Sequence, residues 1–155
     1  MATKSLLARK NKLSKPNEQL RFLSNGIFAD GKLPSFAKKL KQFPLNPNTI
    51  EILQINVGYM CNQVCAHCHV DAGPDRKEIM TRNTMQQCLD VIKNTGAHTL
   101  DLTGGAPEMN PNFRWFVEEA FKIGVNDFIV RSNLTIIRSN PKYYDLPDFF
   151  KKHNI

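Results

Sequence analysis

Residues 49–74, TIEILQINVGYMCNQVCAHCHVDAGP, join a β-branched apolar run directly to a loop that holds three of the chain's four cysteines. TIEILQINV (49–57) is apolar with partial alternation, the pattern of a strand buried wholly or by half. The cysteines follow at once. Cys61, Cys65 and Cys68 have the spacing C-x3-C-x2-C, and His67 and His69 flank the last of them. Soft ligands packed this densely point to a metal.

Outward from that stretch, helical and extended patterns alternate. In TRNTMQQCLDVIKNTG (81–96), Met85, Cys88, Leu89 and Ile92 recur at the spacing of one buried helix face. Thr81 suits the N-cap and Gly96 the left-handed position after the last turn. Cys88 then reads as a small packing residue rather than a ligand. HTLDLTGG (98–105) is a second strand. NPNFRWFVEEAFKIG (110–124) is a second helix, with Asn110 as cap, Pro111 at the first helical position, Gly124 closing it, and Phe113, Phe116, Val117 and Ala120 facing inward. DFIVRSNL (127–134) is a third strand, and YYDLPDFFKKHNI (143–155) begins a further helix. This order predicts an α/β fold of parallel strand–helix repeats, its sheet covered on both faces. In such folds the loops after the strand C-termini form the site. The cysteine loop, TGGAPE (103–108) and RSN (131–133) all fall there.

Composition narrows the class. The chain has 155 residues, 41% hydrophobic and 23% charged, as expected of one soluble domain with a real core. No apolar run approaches the ~20 residues of a membrane span, nor the ~7–15 of a signal-peptide core. Cysteines distributed three-plus-one do not form a disulfide framework, which favours a reducing compartment. The cytoplasm is the expected location. An organelle is the alternative, because residues 1–17 contain Lys4, Arg9, Lys10, Lys12 and Lys15 and no acid. Of the net charge of +7, residues 1–48 supply ten Lys/Arg against Glu18 and Asp30, a net of +8; residues 49–155 are nearly neutral at −1. No aromatic residue interleaves the first lysines, so a nucleic-acid partner is not expected. Residues 1–48, broken by prolines and glycines around one short amphipathic run, SFAKKLKQF (35–43), read as a basic N-terminal extension; residues 49–155 read as the core domain.

Two metal groups suit the cysteine loop. A cubane iron–sulfur cluster takes Cys thiolates as its protein ligands, and three of them leave one iron open to a substrate. The alternative is a Cys3His zinc module completed by His67 or His69. Such modules more often use two separated ligand pairs. In extended chain both histidines also point away from Cys68.

C-x3-C-x2-C after the first strand of a parallel α/β domain resembles the signature of the radical S-adenosylmethionine (SAM) superfamily. The blocks CNQVCAHCHVDAGPDRKEIM (61–80), TGGAPEMNPNFRWFV (103–117) and IVRSNLT (129–135) more specifically resemble the arsenosugar biosynthesis radical SAM family, over residues 49–137. That resemblance implies the N-terminal half of a partial TIM-type barrel. It implies a [4Fe–4S] cluster on Cys61, Cys65 and Cys68, with SAM on the open iron. Reduction by a low-potential donor, such as a flavodoxin or a reductase, would release methionine and a 5′-deoxyadenosyl radical. The implied activity is that of a transferase, adenosylating a methylated trivalent arsenical; another small molecule or a peptide is the alternative substrate.

His67 stands where the superfamily usually has an aromatic residue near the adenine. Gly104 and Gly105 stand in the place of a Gly-Gly-Glu motif that contacts the SAM amino group. The carboxylate of Glu108 is displaced by two positions, so backbone carbonyls around Thr103–Gly105 would take that contact. Ser132 and Asn133 match a polar pair near SAM. Asp71 and Arg76 either pair with each other or shape the substrate pocket. Cores of this superfamily have more strand–helix units than the three read here. A fragment with weak or absent turnover on its own is therefore expected.

Overall fold

Three parallel strands, β1 (Ile52–Asn56), β2 (Thr99–Thr103) and β3 (Asp127–Val130), pair in the order β1–β2–β3. Their register sets Gln54 opposite Asp101, Asn56 opposite Thr103 and Asp101 opposite Ile129. The structure, a computed structural model, describes residues 4–25, 41, 46 and 48–155. It divides into two compact units, one of Met1–Ser5 with Ile50–Ile155 and one of Leu6–Thr49. The smaller unit holds α1 (Pro16–Asn25), preceded by a 3-10 turn at Lys12–Ser14 that the Asn11 side chain caps at 2.9 Å. The amphipathic run read at residues 35–43 lies outside the described residues, Lys41 apart.

In the larger unit each crossover is helical, as parallel pairing requires. Between β1 and β2 lies α2 (Arg82–Thr95); between β2 and β3 lies α3 (Phe113–Lys122). A short α4 (Ile136–Ser139) and α5 (Leu146–Lys152) follow. The ends of α2 obey local chemistry. Thr84 N–H donates to Thr81 Oγ1 at 3.2 Å, and Gly96 closes the helix at φ 72°.

Met85, Leu89 and Ile92 of α2 and Phe113, Phe116, Val117 and Ala120 of α3 pack with Ile55, Leu100, Leu102 and Phe128 into one core. Phe149 of α5 joins them. Cys88 packs against this core, and burial raises its thiol pKa above the ordinary value. The strand residues in the core share one parity, so they mark one face of the sheet.

Two expectations need correction. Among the described residues of the larger unit, the helices pack on that one face. The opposite face, carrying Ile52, Gln54, Asn56, Asp101, Ile129 and Arg131, is polar, and Ile52 and Ile129 are exposed on it among the described residues. The second helix begins at Phe113, with Asn112 at its N-cap position. Asn110 does not hold that position. Its buried side chain donates from Nδ2 to the carbonyls of Val57 at 2.9 Å and Met80 at 3.0 Å.

Candidate functional site

The chain leaving β1 stays bound to the sheet. Val57 N–H donates to Thr103 O, Gly105 N–H to Gly58 O and Ala106 N–H to Met60 O, at 2.9–3.0 Å. These bonds press the Gly-Gly turn against the backbone entering the cysteine loop. A methyl group on Gly104 would collide with the Gly58 carbonyl oxygen, and one on Gly105 with that of Met60. Gly104 also takes φ 132°, which side chains rarely tolerate. The two glycines thus have a packing reason that the motif alone did not supply.

The loop then folds on itself. Cys61 N–H donates to Gly73 O at 3.2 Å, Gly73 N–H to Tyr59 O at 3.1 Å, and Cys68 N–H to Cys65 O at 3.1 Å. Arg76 fastens it from below. Its Nη1 donates to the Asp71 carbonyl at 2.7 Å and to the Asp71 carboxylate at 3.2 Å, while Nε and Nη2 reach Glu78 at 2.9–3.1 Å. Its guanidinium also stacks on Tyr59, 4.7 Å from the ring centroid. Asp71 and Arg76 are therefore structural partners of each other. From the amino terminus, the buried Ser5 donates its hydroxyl to Asp75 Oδ2 at 2.6 Å.

Among the loop thiols, Cys61 is buried, Cys68 half-buried and Cys65 exposed. Cys61 Sγ accepts from Gln63 N–H and from Asn133 Nδ2, both at 3.5 Å; Cys68 Sγ accepts from Ala72 N–H at 3.3 Å. Burial raises the Cys61 pKa above its ordinary 9.0, against the Gln63 N–H, and the nearby charges of Cys65, Cys68 and Glu108 raise it further.

Behind Cys61 the polar pair of the third strand end is ordered. Asn133 Nδ2 also donates to Asn62 Oδ1 at 3.1 Å, Asn62 Nδ2 donates to Thr135 Oγ1 at 2.7 Å, and Thr135 donates back to Asn133 Oδ1 through N–H at 2.8 Å and Oγ1 at 2.6 Å. Ser132 Oγ donates to Glu108 Oε1 at 2.7 Å. Glu108 is buried, its Oε2 without a partner among the described residues, and burial raises its pKa above the ordinary 4.5 despite the Ser132 hydroxyl.

Of the residues singled out from sequence, Cys61 and Cys68 share a small apolar cluster with Ala106 and Met109. Asn133 bonds to Cys61, and Ser132 and Glu108 bond to each other. Thr103 ends β2, beneath that loop. His67 is exposed and not drawn into these contacts. Sequence reading missed Asn62 and Thr135, whose only signal was polarity at the loop and the third strand end.

Among the described residues, no three His, Cys, Asp or Glu side chains converge closely enough to hold a single metal ion. A Cys3His zinc centre needs four donors around one point. A cubane instead bonds each thiolate to a different iron, so its ligands encircle a volume. Three thiols stand on one loop, and two of them receive N–H···S hydrogen bonds, from Gln63 and Ala72, the donors a thiolate-held cluster uses.

No family model matches the chain. It is 26% identical over 84 residues to a probable GTP 3',8-cyclase of Saccharolobus islandicus, and 28% identical over 85 residues to one of Methanothermobacter marburgensis. Those alignments cover 54% and 55% of this chain, which spans about 27–28% of the length of the curated relatives it matches. GTP 3',8-cyclases are a radical SAM family, so these distant, partial similarities support a radical SAM enzyme in general. They do not reach the arsenosugar family. The parallel α/β architecture is consistent with part of a radical SAM TIM-type barrel. Among the described residues no helix is long and apolar enough to cross a membrane.

Proposed function

We propose that Cys61, Cys65 and Cys68 hold a [4Fe–4S] cluster that binds SAM, and that the enzyme adenosylates a methylated trivalent arsenical. The observation that carries the cluster reading is the thiol loop itself. It sits at the C-terminal rim of a parallel sheet, with N–H donors from Gln63, Ala72 and Asn133 aimed at two of its sulfurs. When bound, the cluster supplies the electron that splits the sulfur–carbon bond of SAM into methionine and a 5′-deoxyadenosyl radical.

The chain's own residues orient and shield. Asn133 fixes the direction of the Cys61 side chain and is itself clamped by Asn62 and Thr135. Buried Cys61, Ala72 and Ala106 keep water from the inner side of the loop. Thr103, Gly104 and Gly105 offer backbone at the strand end for the SAM amino group, with Glu108 and Ser132 behind them; His67 lies on the outer side for the adenine. A low-potential donor such as a flavodoxin or a reductase completes the partners, with a small-molecule substrate. The arsenical target rests on the resemblance of residues 61–80 and 103–117, and on the readiness of trivalent arsenic to accept a carbon radical.

Anaerobic reconstitution with iron and sulfide tests the first step. The expected product is brown, holds about four irons per chain, and changes its EPR spectrum when SAM is added. A colourless protein that retains zinc overturns the cluster. Assay with trivalent dimethylarsenic, read by mass spectrometry for an arsenic–adenosine adduct, then decides the substrate.

A further inference from the structure

The sheet face turned away from the helices carries a polar ladder that no step above uses. Asp101, at the centre of β2, is almost wholly buried. Gln54 of β1 donates to its Oδ2 at 2.6 Å. From just beyond β3, Arg131 grips the same carboxylate from the other side, Nε at 2.9 Å from Oδ1 and Nη2 at 2.7 Å from Oδ2. The side-chain exposures are unequal: 5% for Asp101 and 56% for Arg131. The carboxylate thus lies under the guanidinium, its two oxygens occupied. The guanidinium, fixed along one edge, presents the other to solvent.

That edge opens on a cavity of about 370 Å³ lined by Gln54, Asn56, Thr103 and Arg131 from the strand ends and by His69 and Val70 from the loop just past Cys68. Its walls are rich in donors. Arg131 Nη1 has no partner among the described residues, and Asn56 uses only its side-chain oxygen, which accepts from Gly58 N–H at 2.9 Å. Thr103 contributes a hydroxyl and His69 an imidazole. No carboxylate lines this space among the described residues.

We propose that this cavity binds the carboxylate or phosphate of a small-molecule ligand other than SAM and the trivalent arsenical, which carries neither group, with Arg131 as its anchor and Asp101 as the residue that positions Arg131. The anion site does not depend on the enzyme reading above. A guanidinium held by a fork beneath it is preorganised for a second planar or tetrahedral oxyanion, and little side-chain freedom is lost on binding. A purely structural ion pair would have no need of the uncommitted donors of Asn56, Thr103 and Arg131 Nη1 around one cavity beside the thiol loop.

The test is a titration of the full metal-free chain with sodium phosphate, and separately with acetate, at ionic strength held constant with sodium chloride. It is followed by 1H–15N NMR. Saturable shifts are expected at the amides of Asn56, Thr103 and Arg131 and at Arg131 Nε. Arg131→Lys keeps the charge but not the fork, and should weaken phosphate about tenfold. Because Arg131→Gln alone would strand the Asp101 charge, the double variant Asp101→Asn with Arg131→Gln tests loss of the site. It should keep a wild-type circular dichroism spectrum and lose the saturable shifts.

Shifts that do not saturate, or that survive in the double variant, overturn the proposal. So does displacement of phosphate from the iron-loaded protein by SAM, which would give the site to the cosubstrate's carboxylate. Failure to load iron overturns the enzyme reading without touching these shifts. Absent shifts in a protein that does load iron overturn the anion subsite alone.

Discussion

Of the two carboxylate oxygens of Glu108, one accepts the Ser132 hydroxyl and the other is buried with no partner among the described residues. Burial favours the neutral form, so the folded-state pKa lies above the unfolded value near 4.5. The sign follows from linkage. A group with a raised folded pKa contributes stability in full below its unfolded pKa and loses it as pH rises through the folded one. Glu108→Gln removes this titration. Wild type should therefore lose stability relative to the variant as pH rises above 4.5, read as diverging urea midpoints across a pH series; parallel midpoints would contradict the buried-charge account. Sequence showed only that the carboxylate is displaced from Gly-Gly. Its burial under Ser132 depends on a strand end 24 residues away, which no local pattern encodes.

At the scale of elements, α2 was legible almost to the residue. Apolar spacing marked its inner face, and Thr81 and Gly96 marked its ends. Each is a local signal that tertiary packing reinforces. α3 shows where local signals mislead. Asn110 before Pro111 does accept the Asn112 N–H on its side-chain oxygen, but its Nδ2 reaches 53 and 30 residues away, to Val57 O and Met80 O, which no local signal announces. It joins the start of α3 to the two ends of the cysteine loop. Asn110→Ala would take the side-chain donor from Met80 O and leave Val57 O with Met80 N–H alone. A loss of roughly 2 kcal/mol is expected in denaturant unfolding, more than a surface cap would cost. Asn110→Asp, which keeps size and one acceptor but not the Nδ2 donor, should lose as much or more. If either variant unfolds like wild type, the clip is not holding the loop. The polar ladder of Gln54, Asp101 and Arg131 was equally hidden. Period-two positions showed which residues share a face, but their pairing needed the register of three strands.

Across the whole molecule the parallel α/β order could be read from alternating periods, whereas the covering of a single sheet face could not, because apolar strand residues look alike whether one face or two are packed. The same scale governs the response to acid. Hydrogen bonds and charge from basic partners hold Glu78 (Arg76), Asp101 (Arg131) and Asp145 (Arg114) below their ordinary pKa values, and the Ser5 hydroxyl does the same for Asp75. A lowered folded-state pKa contributes stability above the unfolded value, lost as pH falls through the folded one. Glu108 works in the opposite direction and in a separate window, above pH 4.5. The contribution of these four carboxylates should therefore be full above about pH 4.5 and fall steadily below it, with net uptake of protons on unfolding in that acid range. Asp101 is the most consequential of the four, since it alone ties all three strands together through Gln54 and Arg131. The double variant Asp101→Asn with Arg131→Gln should accordingly show a shallower acid limb than wild type. The same urea midpoints, taken between pH 5 and pH 3, measure it. Identical limbs would mean that the ladder orients Arg131 without contributing to the sheet's stability.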